Sequence, residues 1–405
     1  MASTRRTVIA ALAAAPAYLC AQSSTPRPFK IAVPRETLNR ILRRVRETRF
    51  PEPIGGTGGW QYGVSYGYLK DLTAYWTTQF DWRKSEAKLN RYPQFMARVD
   101  DFDIHFYHVR GRGPRPMPLV LTHGWPGSVA EFMDVTGPLA DPVGHGGNAD
   151  DSFDLVIPSL PGFGYSSKPA GKPVGPATVA RLWHKLMTQV LGYQRFGAQG
   201  GDWGSAITTQ LAAQFPNSLI GIHLNSGGAR PAPEAEQTEE ERAYLRAAAV
   251  YARNEFDYFY EQTRKPQTVG FALADNPLGT AAWIVEKLKV WSDSGDNLDQ
   301  TLTKDQVLTN VMWYLVTQTE SSAVWIYRGN ADDPAAPRGK ITVPTGFAAF
   351  PKEMVNLAAP RVMLERDYNL VHYTKMPRGG HFAAFEQPQL FVDDVRAFFR
   401  KVRAA

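Results

Sequence analysis

Arg195-Phe196-Gly197-Ala198-Gln199-Gly200-Gly201-Asp202-Trp203-Gly204 is the stretch on which the reading of the whole chain turns. Arg195 to Gln199 suits a strand and Trp203 to Phe215 suits a helix, which leaves the glycine-rich segment around Asp202 as the turn between them. Small residues on both sides of one reactive side chain permit a sharp, strained turn that lifts that side chain above a sheet, the geometry of a nucleophile elbow. The central residue here is Asp rather than Ser. In isolation, a glycine-rich turn with a helix-capping Asp would read the same way, so the flanking sequence has to decide.

Outward from the turn, strands and helices alternate. Ile104 to Val109 alternates like a strand. Leu119 to Leu121 is a short apolar run ending at His123-Gly124-Trp125-Pro126-Gly127, and Phe132 and Met133 suit a helix. Leu155 to Ile157 ends at Pro158 and leads to Pro161-Gly162-Phe163-Gly164; a helix follows around Val179 to Leu191, and Leu219 to Leu224 is the next strand. This alternation predicts an α/β fold with a mostly parallel sheet and helices on both faces. Between about 226 and 340 the strands stop, and Glu240 to Val250, Ala281 to Val290 and Asp305 to Val316 read as helices of an inserted lid. Strands return at Val343 to Phe350 and His372 to Met376, before a last helix from Gln387 to Val402. Near the N-terminus Leu38, Ile41, Leu42 and Val45 recur at helical spacing, and Trp60, Tyr62, Tyr66, Tyr68, Trp76 and Trp82 read as an aromatic-rich meander. The chain thus divides into a meander over 22–100, a first core part over 101–225, a lid over 226–340 and a second core part over 341–405.

Composition narrows the possibilities. Of 405 residues, 43% are apolar and 21% charged, which is a globular balance. The net charge of +6 is spread without a long basic run or a nucleic-acid motif, so no polyanionic partner is implied. The single cysteine, Cys20, excludes an intrachain disulfide and a Cys-based metal site. Thr4-Arg5-Arg6-Thr7-Val8-Ile9 opens like a twin-arginine signal, Val8 to Leu19 is an apolar run too short to span a bilayer, and Leu19-Cys20-Ala21 offers a cleavage site. Residues 1–21 are therefore expected to export the chain to the periplasm or medium, with no stable membrane span.

The same order of elements supplies partners for Asp202. In this topology a nucleophile, an acid and a histidine follow one another along the chain. His381, in Gly379-Gly380-His381-Phe382 after a late strand, takes the last place. Glu353 follows the strand ending at Phe350 closely and takes the middle one, with Glu365 and Asp367 as competitors. The His123-Gly124-Trp125-Pro126 loop can aim the Trp125 backbone N–H at the site, where with the Trp203 N–H it would form an oxyanion hole. His123 itself is read as structural.

With these strings in view, the chain resembles the microsomal-type epoxide hydrolases from about Phe29 to Val402. The resemblance rests on the aromatic N-terminal segment, His123-Gly124-Trp125-Pro126, Gly200-Gly201-Asp202-Trp203-Gly204, Val343-Pro344-Thr345-Gly346-Phe347 and Gly379-Gly380-His381-Phe382-Ala383-Ala384-Phe385-Glu386. It implies an α/β-hydrolase fold and conversion of lipophilic epoxides to vicinal diols through an Asp202 ester, with water as the second substrate and no metal or organic cofactor. It also implies two lid tyrosines. Tyr258, eight residues before Pro266, matches the first and Tyr327, after Ser321-Ser322, the second; spacing alone does not choose Tyr258 over Tyr260. Glu353 matches the family acid with one extra residue before His381. Family members are often anchored in membranes at the N-terminus; the signal-like start of this chain departs from that. A haloalkane dehalogenase, which also uses an Asp elbow, is the nearest alternative, and a non-catalytic receptor on the same scaffold is the alternative from another class.

Overall fold

In the computed structural model, residues 25–403 are described except 57, 228, 334–338 and 355–358, and the signal expected at 1–21 lies outside them. Among the described residues the strands are β1 (Arg27–Phe29), β2 (Gln94–Val99), β3 (Phe102–Val109), β4 (Met117–Thr122), β5 (Phe153–Pro158), β6 (Phe196–Gly200), β7 (Leu219–Leu224), β8 (Ile341–Ala349) and β9 (Tyr368–Lys375). They form one sheet in the order β1-β2-β3-β5-β4-β6-β7-β8-β9. From β5 to β9 neighbouring strands run parallel, while β3 joins β5 antiparallel and β2 and β1 extend that edge antiparallel. Every residue of β5 and β6 is buried, as expected of central parallel strands covered by helices on both faces.

The strand order reverses at β4, which has β5 on one side and β6 on the other. The crevice beyond the carboxyl ends of strands at such a reversal is where α/β folds place their sites. Here those ends lead into His123-Gly124-Trp125-Pro126 after β4 and Gly201-Asp202 after β6.

The last helix, Pro388–Arg403, buries Phe398 and Phe399 completely. It can approach the sheet because glycines face it: a Cβ on Gly346 of β8 would lie 2.6 Å from two ring carbons of Phe398, and one on Gly197 of β6 would lie 2.5 Å from Phe399.

The N-terminal segment contributes more regular structure than its aromatic content suggests. The helix Arg35–Glu47 buries Ile41 and Val45, as its spacing requires. Within the stretch read as a meander lie two further helices, Tyr66–Thr78 and Trp82–Leu89. Leu69, Leu72 and Trp76 are three and four residues apart and share one buried face, and Ser65 caps the first turn by accepting the Tyr68 N–H. Strands β1 and β2 also come from this segment and lengthen the sheet.

The lid contains the helices Glu239–Glu255, Asp257–Arg264, Pro266–Leu273, Pro277–Trp291, Lys304–Thr317 and Trp325–Asp332. The helix Lys304–Thr317 is tied to the loop after β4. Buried Asn310 donates through Nδ2 to the Pro126 carbonyl at 2.7 Å and accepts from Ser128 Oγ at 2.8 Å, and the Tyr314 hydroxyl donates to the Gly127 carbonyl. Across the other end of the lid, Arg366 grips buried Glu241 with two hydrogen bonds of 2.6 Å.

The close seat of the last helix gives a stability prediction. Gly346→Ala forces the Phe398 ring to shift and should cost about 1–3 kcal/mol. Denaturant unfolding measures it, and an unchanged midpoint would show that the interface has slack that the distances deny.

Candidate active site

Asp202 ends the turn between β6 and the helix Trp203–Gln214 with φ 51° and ψ −128°. A side-chain-bearing residue held at positive φ in this way costs on the order of 1–3 kcal/mol. The surroundings leave it little alternative. A Cβ on Gly204 would lie 2.0 Å from the Thr122 carbonyl oxygen, so the helix start can press against the end of β4 only because that residue is glycine. A Cβ on Gly124 would lie 2.0 Å from Asp202 Oδ1.

The carboxylate so presented meets two of the expected partners directly. The Trp125 N–H donates to Asp202 Oδ1 at 2.9 Å, and His381 Nε2 stands 3.5 Å from Oδ2. Trp203 opens the helix after Asp202, where a backbone N–H has no intrahelical acceptor. On the far side of the imidazole, His381 Nδ1 lies 2.9 Å from Glu353 Oε1. That oxygen also accepts from Ser226 Oγ, just beyond β7, at 3.0 Å. The His381 backbone N–H donates to the Trp291 carbonyl at 2.9 Å, and its ring lies 5.0 Å from the Trp291 ring centroid.

The other acids considered for the middle position are engaged elsewhere. Asp367, 1% exposed, accepts the Arg230 backbone N–H and Nε at 2.8 and 2.7 Å. Glu365 pairs with Arg361 on the surface. His123 is buried; Nδ1 lies against the Gly124 carbonyl and Nε2 accepts the Leu160 N–H, and burial lowers its pKa to about 4. It is a neutral structural residue.

Tyr258 and Tyr327 come from different lid helices and converge, with ring centroids 5.9 Å apart. Both pack on Trp125, at 5.6 and 5.8 Å, and Tyr327 meets the Trp203 ring edge to face at 4.8 Å. Tyr258 is buried while Tyr260, the alternative, is 44% exposed, so packing selects the first. Burial, and then the negative charges nearby including Asp202, raise both phenols above their ordinary range, which keeps them protonated hydrogen-bond donors.

His381 is also raised, in its case toward the charged form. Burial opposes its charge, but the hydrogen bonds and fields of Asp202 and Glu353 outweigh that and raise its pKa to about 10. The resting site is an imidazolium between two carboxylates.

Several neighbours escape a reading of the sequence. The Lys287 side chain is 7% exposed, pairs with Glu286 at 2.8 Å and places Nζ 4.7 Å from the Tyr258 ring centroid. Nothing in its local sequence separates it from other lid lysines. Ser226 and Trp291 likewise become visible only through contacts distant in sequence. Glu131, near the loop after β4, does carry a local signal: Ser128 and Glu131 form a capping box.

The charge arrangement yields a direct test. Asp202→Asn and Glu353→Gln should each lower the His381 pKa from about 10, because each removes one of the carboxylates that raise it. Asp367→Asn should leave it in place while costing about 1–3 kcal/mol of stability. Titration of His381 by NMR, with denaturant unfolding of the third variant, reads both; a histidine pKa that follows Asp367 instead would reassign the acid.

Known proteins resemble this chain along most of its length. A family profile described as the epoxide hydrolase N terminus matches residues 26–132, and one for the alpha/beta hydrolase fold matches 117–313. A Stigmatella aurantiaca protein carrying an epoxide hydrolase name is 44% identical over 93% of this chain and 85% of its own length. Epoxide hydrolase 1 of Sus scrofa is 36% identical over 93% and 89%. The solved structure of the Aspergillus niger epoxide hydrolase matches with a TM-score of 0.83 at 30% identity, covering 94% of this chain and 98% of that one. With the elbow, the lid and these relatives together, the chain belongs to the microsomal-type epoxide hydrolase family on the α/β-hydrolase fold.

Proposed function

We propose that this enzyme opens lipophilic epoxides to vicinal diols in two covalent steps, with Asp202 as the nucleophile. The observation that carries the reading is the strained turn that points an ionisable carboxylate at His381 and the Trp125 N–H, with two protonated phenols packed against the same loop.

An epoxide carbon is a displacement centre, and a carboxylate ionised at neutral pH attacks it without help from a base. The ring oxygen gains charge as its bond to that carbon breaks. Tyr258 and Tyr327 hydrogen-bond it, and one of them gives it a proton. The product of this step is an Asp202 ester of a β-hydroxy alcohol, together with a phenolate.

Ester formation resets the histidine. His381 is held as an imidazolium by Asp202 and Glu353; once Asp202 is an uncharged ester, one support is gone. The phenolate is then the stronger base, and the imidazolium proton passes to it through solvent. Neutral His381, oriented by Glu353, removes a proton from water as its oxygen bonds to the ester carbonyl carbon. The Trp125 and Trp203 N–H groups stabilise the oxyanion, each worth about a hundredfold or more in rate. The carbonyl re-forms, the ester bond to the diol oxygen breaks, and His381 returns the proton to that oxygen. The aromatic surroundings, including Trp125, Trp291 and Phe259, favour lipophilic substrates.

A single turnover in heavy-oxygen water checks the nucleophile. Label should enter the Asp202 peptide while the first diol remains unlabelled, whereas label in the first diol alone would make Asp202 a general base. Tyr258→Phe and Tyr327→Phe should each slow alkylation, and the double variant should lose nearly all of it, because the rings keep their packing and lose their donors. Undiminished alkylation in the double variant, followed by stopped flow, would remove both from the mechanism.

We also propose export by the twin-arginine route, on the strength of Arg5, Arg6 and the apolar run after them. Replacing both arginines by lysine should leave precursor in the cytoplasm, and the intact mass of native protein should correspond to cleavage near Ala21. A full-length native chain confined to the cytoplasm would refute this.

A further inference from the structure

A small cavity borders Asp202 without touching either lid tyrosine. Its walls include Asp202, His381, Glu131, Gln199 and Asn225, and it offers about 20 Å³ of space to the centre of a water molecule. That is room for one ordered water in a polar setting.

Glu131 carries the carboxyl group on this wall that the reaction so far leaves unused. Its Oε1 accepts the Ser128 N–H at 3.0 Å, closing the capping box at the start of the turn Val129–Phe132. Among the described residues its Oε2 has no hydrogen-bond partner and no cation pairs with the carboxyl. The side chain is enclosed by protein yet keeps some accessible surface, as a group facing a cavity does. Burial, with Asp202 adding to it and the His381 imidazolium opposing, raises its pKa to about 8. The amide oxygen of Gln199, on the same wall and fully buried, also lacks a protein partner. Buried polar groups left unpaired in this way are ordinarily satisfied by water. A cap needs one carboxyl oxygen at a helix end; it gives no reason for the second to be enclosed beside a nucleophile and a base.

We propose that Glu131 seats the water that hydrolyses the Asp202 ester, accepting a hydrogen bond from one of its hydrogens while His381 takes the other. The inference rests on the covalent reading above. The water oxygen bonds to Asp202 Cγ, His381 Nε2 receives one proton and later returns it to the departing diol oxygen, and Glu131 ends the step with the protons it began with.

Glu131→Gln tests this while keeping the volume of the side chain. The amide carbonyl can still accept the Ser128 N–H, which turns the NH₂ group, a donor, toward the water. In stopped-flow single turnovers, alkylation should stay within about twofold of wild type and ester hydrolysis should slow by about tenfold to a hundredfold. Mass spectrometry of acid-quenched enzyme should then find the substrate adduct accumulating on the Asp202 peptide. Unchanged hydrolysis, or equal slowing of both steps, would overturn the assignment. Heavy-oxygen labelling of wild-type Asp202 is run alongside: labelled wild type with unchanged Glu131→Gln hydrolysis defeats the Glu131 role alone, and unlabelled wild type defeats the covalent reading and this inference with it. Should Glu131→Gln fail to fold, a high-resolution crystal structure of the wild-type enzyme decides. A water within hydrogen-bond reach of Glu131 Oε2 and His381 Nε2 supports the role, and an empty cavity rejects it.

Discussion

As the proposed nucleophile, Asp202 has to be ionised, enclosed and yet free to attack, and these demands pull against one another. A buried carboxylate without partners would take up a proton. One locked in a tight, complete set of hydrogen bonds would be a poor nucleophile. The chain meets the conflict with one backbone donor, Trp125 N–H at 2.9 Å, and one imidazolium at 3.5 Å. That balance holds only if the turn stays at its unfavourable dihedral angles, and the close approach of Gly204 to the end of β4 helps keep it there. The sheet order, the seat of the last helix and the position of the loop after β4 can be read as the scaffolding for one side chain.

Charge gives the site a direction in time. At rest the imidazolium is supported by carboxylates on both sides. In the proposed reaction, conversion of one of them to an ester is the chemical event that makes the histidine a base. On that reading the same group stabilises the nucleophile's charge before the first step and generates a second nucleophile after it. Lys287, beside the Tyr258 ring, places positive charge near the phenols on the other side of the site.

Much of this architecture was legible from residue order because its signals are local. A strand, a glycine-flanked Asp and a helix sit within a score of residues, and β7 begins and ends at the residues its apolar run marks. The place of Glu353 after β8 singles it out in the sequence, and the structure sets it 2.9 Å from His381 Nδ1, while Asp367 and Glu365 serve arginines. What was hidden depends on distance in sequence. Strand β2 is short, carries Gln94 and Arg98 among its apolar residues, and owes its place to pairing with β3. The helix Tyr66–Thr78 is hard to read because Tyr66, Tyr68 and Tyr75 lie off the buried face set by Leu69, Leu72 and Trp76 and blur the helical spacing. Tyr258 could be separated from Tyr260 by resemblance or by burial, and by nothing nearer.

The tie between the helix Lys304–Thr317 and the loop after β4 bears on how such an enzyme can diversify. Asn310 and Tyr314 hold the loop that carries the Trp125 donor, so this part of the lid is committed to the chemistry although it lies in the inserted segment. Among the described residues, the helices bearing Tyr258 and Tyr327 make no such bonds to the loop's carbonyls. Descent with modification thus has two kinds of ground in one insertion: a span where drift erodes turnover for every substrate alike, and a span where it can exchange one epoxide for another. Libraries aimed at new selectivity would gain by leaving the first untouched and spending their diversity on the second.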